Sequence, residues 1–189
     1  MKTRTAALLL MVMLGSPGYS DAQAVLQQSQ TSVRIPNFGK VNDNYYRGAQ
    51  PKTADYTALA RLGIKTVIDL TKEGDLTEAA SVAQEGMRFF RIPLTTTDRP
   101  SSEAVDQFLK LVNDPGNQPV YVHCQGGRHR TGVMTALFRL THDQWTAERA
   151  FAEMRQYEFE KGLLSHKTLK AFLFDFYEKV VKPRAAAAS

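Results

Sequence analysis

The chain of 189 residues has a single cysteine, Cys124, and a single tryptophan, and it contains no apolar run approaching the ~20 residues that a membrane-spanning helix requires. Each scarcity removes a class of protein. With one cysteine there is no intramolecular disulfide and no second thiol to resolve an oxidised one. No stretch interleaves basic and aromatic residues, so nothing marks a nucleic-acid face, and the net charge of +5 suits an anionic ligand without demanding one. There is also no internal repeat. At this length, with 43% hydrophobic residues, the chain supports one globular domain with a proper core.

The N-terminus is set apart from that domain. Met1-Lys2-Thr3-Arg4 is a short basic region, Ala6 to Leu14 an apolar one, and Ala22-Gln23-Ala24 a small-residue cleavage site. An amphipathic helix of the mature fold would need a polar face that Ala6 to Leu14 lacks. Residues 1–24 therefore read as a secretory signal, residues 25–184 as the working domain and residues 185–189 as a frayed tail, with no stable membrane span in the mature form. The expected location is outside the cytoplasm, in a periplasm or secreted. Removing the signal takes away Lys2, Arg4 and Asp21 and leaves the remainder basic.

Past a Gln-rich lead-in at residues 25–35, strand and helix patterns alternate. Asn44 to Gly48 reads as a short strand or hairpin edge, and Ala54 to Leu62 as a helix with Thr53 as its cap and Gly63 closing it. Thr66 to Leu70 is a β-branched run typical of a buried strand. A helix over Leu76 to Glu85 and a strand over Met87 to Leu94 follow. A polar connection then leads to a helix over Glu103 to Val112, capped by Ser101 or Ser102, with Val105, Phe108, Leu109 and Val112 on one face. Asp114 to Asn117 forms a turn, Pro119 to His123 a strand, and the rest is helical: Thr131 to Leu140, Thr146 to Glu158 and Ser165 to Val181. The pattern predicts an α/β fold with a central, mostly parallel sheet flanked by helices and a helical C-terminal third.

The chemistry concentrates where the last strand meets the next helix, at His123-Cys124-Gln125-Gly126-Gly127-Arg128-His129-Arg130-Thr131-Gly132. A glycine-containing loop between a strand and a helix gathers backbone N–H groups on one point, where the helix dipole also favours negative charge. A thiol placed there, beside cations, ionises far more readily than a free one. Cys124 is thus a candidate nucleophile toward phosphorus, and Arg130, with its planar fork, a candidate clamp for two phosphoryl oxygens. Thr131 either donates its hydroxyl to the sulfur or caps the helix. Gln125, Gly126, Gly127, Arg128 and His129 complete the cradle. Strand alternation turns His123 away from the cradle, as a supporting residue expected to bond to backbone.

A leaving group that is a poor one needs a proton from a carboxylic acid above the cradle. Asp69 lies within a strand, Asp75 follows the wrong strand, Asp106 faces solvent and Asp114 sits in a turn at the far end of the sheet. Asp98 remains, in the polar loop from Thr95 to Pro100; the plain alternative for it is capping the next helix.

His123-Cys124-x-x-Gly127-x-x-Arg130-Thr131-Gly132 resembles the signature of the cysteine-dependent protein tyrosine and dual-specificity phosphatases. The likeness extends weakly through Tyr46-Arg47-Gly48-Ala49-Gln50-Pro51 and the order of elements. It implies hydrolysis of phosphotyrosine, phosphoserine or phosphothreonine on proteins through a phosphocysteine, with no cofactor and no metal. The loop holding Asp98 is similar to the family's acid loop, although it lies nearer the cysteine than in many members. Arg128, where tyrosine-directed members often carry a small or apolar residue, is similar to the phosphoinositide-directed ones and opens inositol phosphates or phosphoinositides as the alternative substrate. Two rivals rank lower: a non-catalytic phosphate-binding module, and a sulfurtransferase, whose loop cysteine is not usually followed by Arg-Thr-Gly at this spacing.

Overall fold

A computed structural model describes residues 33–161 and 166–187. The signal segment expected at residues 1–24 lies outside them. Five strands form one sheet in the order β1-β2-β5-β3-β4. They are β1 (Gly39–Asn42), β2 (Tyr45–Ala49), β3 (Thr66–Thr71), β4 (Arg88–Leu94) and β5 (Val120–Cys124). β1 and β2 make an antiparallel hairpin, and the other three pairings are parallel. The mostly parallel sheet expected from the alternation is present, and the aromatic segment at Asn44 to Gly48 is the inner arm of a hairpin.

The two central strands, β3 and β5, are buried along their whole length, which explains why they read as continuous apolar runs rather than alternating ones. β4 ends the sheet and tolerates Pro93, whose missing N–H would break a ladder in a central strand. Alternation along each strand divides the core in two. Ile68, Leu70, Val122 and Cys124 point to the side covered by α3 (Ser102–Asn113), α4 (His129–Thr141), α5 (Ala147–Gln156) and α6 (Lys167–Phe176). Val67 and Tyr121 point the other way, onto Tyr56 and Leu59 of α1 (Thr53–Arg61) and Val82 of α2 (Glu78–Gln84).

Several boundaries differ from expectation for local reasons. α1 starts at Thr53 itself, and Asp55 reaches back to accept the Lys52 N–H at 2.8 Å, so the cap lies one residue earlier. α3 is capped by Ser101, whose hydroxyl accepts from the Ala104 N–H. After α6 comes a π-helical turn, Tyr177–Val181, and then α7 (Lys182–Ala187). Ala185 to Ala187, expected to fray, continue that helix.

α4 sits at the centre: every residue from Arg130 to Leu140 is buried. A helix apolar on most sides belongs inside a core, and its N-terminus is thereby fixed against the carboxyl end of β5.

Candidate active site

The loop from Cys124 to Arg128 is held by its carbonyls. The Gln125 carbonyl accepts the Gln50 N–H at 3.2 Å, the Gly126 carbonyl accepts Asn37 Nδ2 at 2.8 Å, and the Gly127 carbonyl accepts a guanidinium N–H of Arg47. In a trans peptide the N–H opposes the C=O. Tying three successive carbonyls outward therefore turns the N–H groups of Gly126, Gly127 and Arg128 inward, over the start of α4. Gly127 has φ +65°, and a Cβ there would lie 2.5 Å from the Gly48 carbonyl carbon, so no other residue fits between the loop and β2.

Cys124 ends β5 as a buried free thiol. Helix α4 begins at His129, with Arg128 in the cap position. Thr131 is therefore inside the first turn and is not the helix cap, which corrects that alternative. Its hydroxyl is fully buried without a partner. Arg130 is buried too, and its hydrogen bonds all run through Nη1, to Glu73 Oε1 at 2.7 Å, Glu73 Oε2 at 2.9 Å and the Leu94 carbonyl at 3.2 Å. Its Nε has no partner.

Around the rim, the Arg128 guanidinium folds back over Gly126, where an added Cβ would meet its Nε at 3.1 Å. The His129 ring packs on His166 with centroids 3.4 Å apart and edge-on to Phe159. Burial first, then the charges of His166, Arg128 and Arg130, lower the His129 pKa to about 4, so the ring is neutral at pH 7. The Gln125 side chain is exposed and only its backbone serves the loop.

His123 faces the opposite side of the sheet, as alternation predicts, but its partners are carboxylates rather than backbone. Nε2 lies 2.8 Å from Glu78 Oε1 and Nδ1 3.9 Å from Asp69 Oδ1, close contacts without the alignment of hydrogen bonds. Asp69 also accepts Arg91 Nε at 2.7 Å and both the N–H and the hydroxyl of Thr71 at 2.8 Å, and Glu78 accepts the Tyr56 hydroxyl at 2.9 Å. Burial pushes the Glu78 carboxyl up, but His123, Gln50 and Tyr56 together outweigh it and hold it below the ordinary range. Asp69, Glu78 and His123 offer ligand atoms within 4.8 Å of one another. Arg91 and Thr71 already occupy the Asp69 oxygens, so the cluster is a charge-paired support rather than a cation site.

Asp98 is exposed, and its carboxylate accepts the Thr95 hydroxyl at 2.8 Å. Its loop starts at Leu94, the residue whose carbonyl touches Arg130, and lines a cavity of about 290 Å³ with Lys72 and Pro100. Two contacts tether the loop to the C-terminal region: Arg99 to Asp175 at 2.6 Å, and the Thr96 carbonyl to His166 at 3.4 Å. The other aspartates stand elsewhere: Asp75 is bonded to Thr77, Asp114 to Gly116, and Asp106 is exposed on α3.

Residues 23–171 match the family model described as "DSP-PTPase phosphatase fused to NAD+ Kinase". The chain belongs to the dual-specificity protein tyrosine phosphatases. Among the relatives of this phosphatase, the putative tyrosine-protein phosphatase OCA1 of Mycosarcoma maydis is 34% identical over 131 residues, covering 66% of this chain and 82% of the relative. Dual specificity protein phosphatase TpbA of Pseudomonas aeruginosa is 28% identical over 154 residues, 79% of this chain and 69% of the relative. The crystal structure of TpbA superposes with a TM-score of 0.66 at 26% identity over 82% of this chain and 92% of that one. The core catalytic domain of the PP-IP phosphatase SIW14 from Saccharomyces cerevisiae gives 0.67 at 25% identity over 83% and 96%. The phosphatase is a hydrolase, as the resemblance of its loop implied.

One residue of its site escaped the sequence, Glu73, and another, Arg47, could be named there as a candidate contributor to the field of the cradle but not placed. Glu73, which holds Arg130, sits in a Lys72-Glu73-Gly74-Asp75 turn that looks like solvated surface. Arg47, which holds Gly127, lies on β2 in register with Val122, and that register alone puts it on the same face of the sheet as Cys124.

Proposed function

We propose that this phosphatase removes phosphate from phosphotyrosine, phosphoserine or phosphothreonine of proteins, with Cys124 as nucleophile, Arg130 as clamp and Asp98 as general acid and base. The observation that carries this reading is the set of buried donors left unsatisfied in the first turn of α4, beside the loop. Arg130 Nε and Thr131 Oγ1 are buried without partners beside inward-turned loop amides, and donors so arranged cost free energy until an anion binds. The Cys124 thiolate attacks phosphorus, the bond from phosphorus to the leaving oxygen breaks, and that oxygen takes the Asp98 proton. Water then attacks the phosphocysteine, giving its proton to Asp98, and the thiolate leaves as inorganic phosphate forms. Nη1 of Arg130 is spent on Glu73 and Leu94, which leaves Nε and Nη2 to face two equatorial oxygens.

Cys124→Ser tests the reading: phosphate release falls by about 10⁴-fold or more while vanadate binding persists. Activity retained in that variant would sink the mechanism.

One observation favours a second substrate class. Arg128 lies over Gly126 at the rim, an added cation for a second phosphate, and relatives at 28% and 26% identity are named inositol diphosphatases, from Saccharomyces cerevisiae and Arabidopsis thaliana. A phosphate-release panel spanning phosphopeptides, inositol phosphates and phosphoinositides separates the two, and Arg128→Ala lowers kcat/KM selectively for the multiply phosphorylated compounds if the second applies. Export of the mature domain belongs to the same reading, supported by the basic and apolar segments of residues 1–24. N-terminal sequencing of protein from the extracytoplasmic fraction checks it.

A further inference from the structure

Arg47 is the largest fully buried side chain of the described residues, with none of its surface exposed. Its guanidinium donates to the Gly127 carbonyl through Nη2 and stacks on the Tyr157 ring, with Cζ 3.9 Å from the centroid. Its Nε and Nη1 are buried and have no acceptor. No carboxylate lies within ion-pair distance of it among the described residues. A buried guanidinium without a counter-ion is costly, since removing a charge from water is compensated only by a partner charge and hydrogen bonds. Burial accordingly pushes the Arg47 pKa down, against the opposing influence of Tyr45, Tyr157, Glu153 and Cys124, in that order.

The other cations of the cradle are differently placed. Arg130 is already paired with Glu73, and Arg128 is on the rim. Of the remaining titratable groups there, Asp98 is held by Thr95 and His129 is pressed to its neutral form. On the far face, His123 is matched by Asp69 and Glu78. Arg47 is the buried cation whose charge is left unmatched, and it shares the sheet face of Cys124.

We infer that Arg47 is a positioning residue that supplies the resting counter-charge for the Cys124 thiolate, acting through the Gly127–Arg128 peptide. A charged donor on the Gly127 oxygen polarises that peptide and strengthens the Arg128 N–H aimed into the cradle. The same contact sets the inward tilt of the loop. The stacked Tyr157 ring shields the guanidinium from water, so its field reaches the sulfur through a medium of low dielectric. This rests on Cys124 being the nucleophile of the proposed reaction, and it adds a cation from β2 to those of the loop and α4.

Alkylation of the thiol by iodoacetamide between pH 4 and 9 tests it, because Cys124 is the chain's one cysteine and mass spectrometry reports it alone. Arg47→Met moves the midpoint up by at least one pH unit, a tenfold loss of thiolate on the acid side, and the acid limb of kcat/KM moves with it. Arg47→Lys, which keeps a charge but not the fork, moves it less. A folded Arg47→Met protein with an unmoved midpoint overturns the inference, even if its turnover is low. If Arg47→Met does not fold, Arg47→Lys decides by the same midpoint, and if neither folds, the guanidinium serves the fold and the assignment fails. A midpoint that shifts in a protein whose wild type releases no phosphate from aryl phosphates would instead overturn the proposed activity and leave this assignment standing.

Discussion

His123 and Cys124 are neighbours on β5 that face opposite sides of the sheet, and the two sides could hardly be more different in how they handle charge. Behind His123 is a closed set: the carboxylates of Asp69 and Glu78 face Arg91 and the imidazole and accept from Thr71 and Tyr56, although the His123 ring nitrogens and Glu78 Oε2 make no aligned hydrogen bond. Around Cys124 is an open set, in which Arg47, Arg130 and Thr131 hold buried donors that nothing accepts. Charges set beside opposite charges stiffen what they touch, whereas buried cationic donors left without an acceptor call for an anion. The contrast separates support from chemistry more sharply than residue type does, since both sides carry an arginine and a histidine.

The strongest way to break the contrast is to blunt the open side. Arg130→Lys keeps the charge but loses the fork, and kcat/KM for an aryl phosphate is expected to fall by about 10³-fold with melting temperature nearly unchanged. A loss of under tenfold would mean that Nε and Nη2 do not hold the phosphoryl group. Next comes the proton donor. Asp98→Asn is expected to slow phosphopeptide turnover by about 10²-fold and an activated aryl phosphate by less than tenfold, because only the poorer leaving group needs the proton. Equal losses on both substrates would remove Asp98 from the reaction.

The closed side should fail in another way. Glu78→Ala takes the acceptor from the Tyr56 hydroxyl and the carboxylate from beside the His123 ring in a fully buried place, and removal of one member of such a set costs about 3 kcal/mol or more. Urea unfolding reads that loss directly. The activity that survives at low temperature should drop far less than in Arg130→Lys, and a variant that keeps its stability but loses turnover would place Glu78 with the chemistry instead.

Much of the site could be read from spacing, because strand, loop and helix are contiguous and their local geometry follows from Gly127, the β-branched lead-in and the buried stripe of α4. What could not be read arises from register and long-range charge pairing. Arg47 enters the site only because β2 lies beside β5 with Arg47 opposite Val122, a pairing across 75 positions that leaves no local pattern. Glu73 looked like turn surface, and at 59% side-chain exposure it still does, except that the buried Arg130 reaches it. His123 was oriented correctly by alternation, yet its partners were missed, since a buried Asp69 on β3 and Glu78 at the start of α2 reveal themselves only once three elements pack. A hydroxyl residue at Thr131 imitates a cap and draws the expected start of α4 two residues late, whereas the helix begins at His129 with Arg128 in the cap position and no side-chain hydrogen bond there.

The smallest expected effect probes the rim of the open side, where one ring titrates. His129 has its pKa lowered to about 4 by burial and by the charges of His166, Arg128 and Arg130, against 6.5 for a free imidazole. Between those two values the unfolded chain binds a proton that the folded protein refuses, so folding stability rises with pH across the window from 4 to 6.5 and is flat above it. Because the ring is only half covered, the slope should sum to about 1 kcal/mol rather than the full linkage value. The carboxylates held low, Glu78 and Asp143, lose their contribution only at lower pH, below the usual carboxylate values, so the upper half of the window belongs to imidazole. The difference in urea midpoint between wild type and His129→Gln reads this ring together with its coupling to the stacked His166: it should shrink steadily as pH falls from 7 to 4.5. If the difference stays constant, His129 takes up its proton as readily in the folded protein as in the unfolded chain, the open side gains a cation below about pH 6.5 that its geometry does not support, and the division between a paired face and an anion-seeking one would have to be drawn without it.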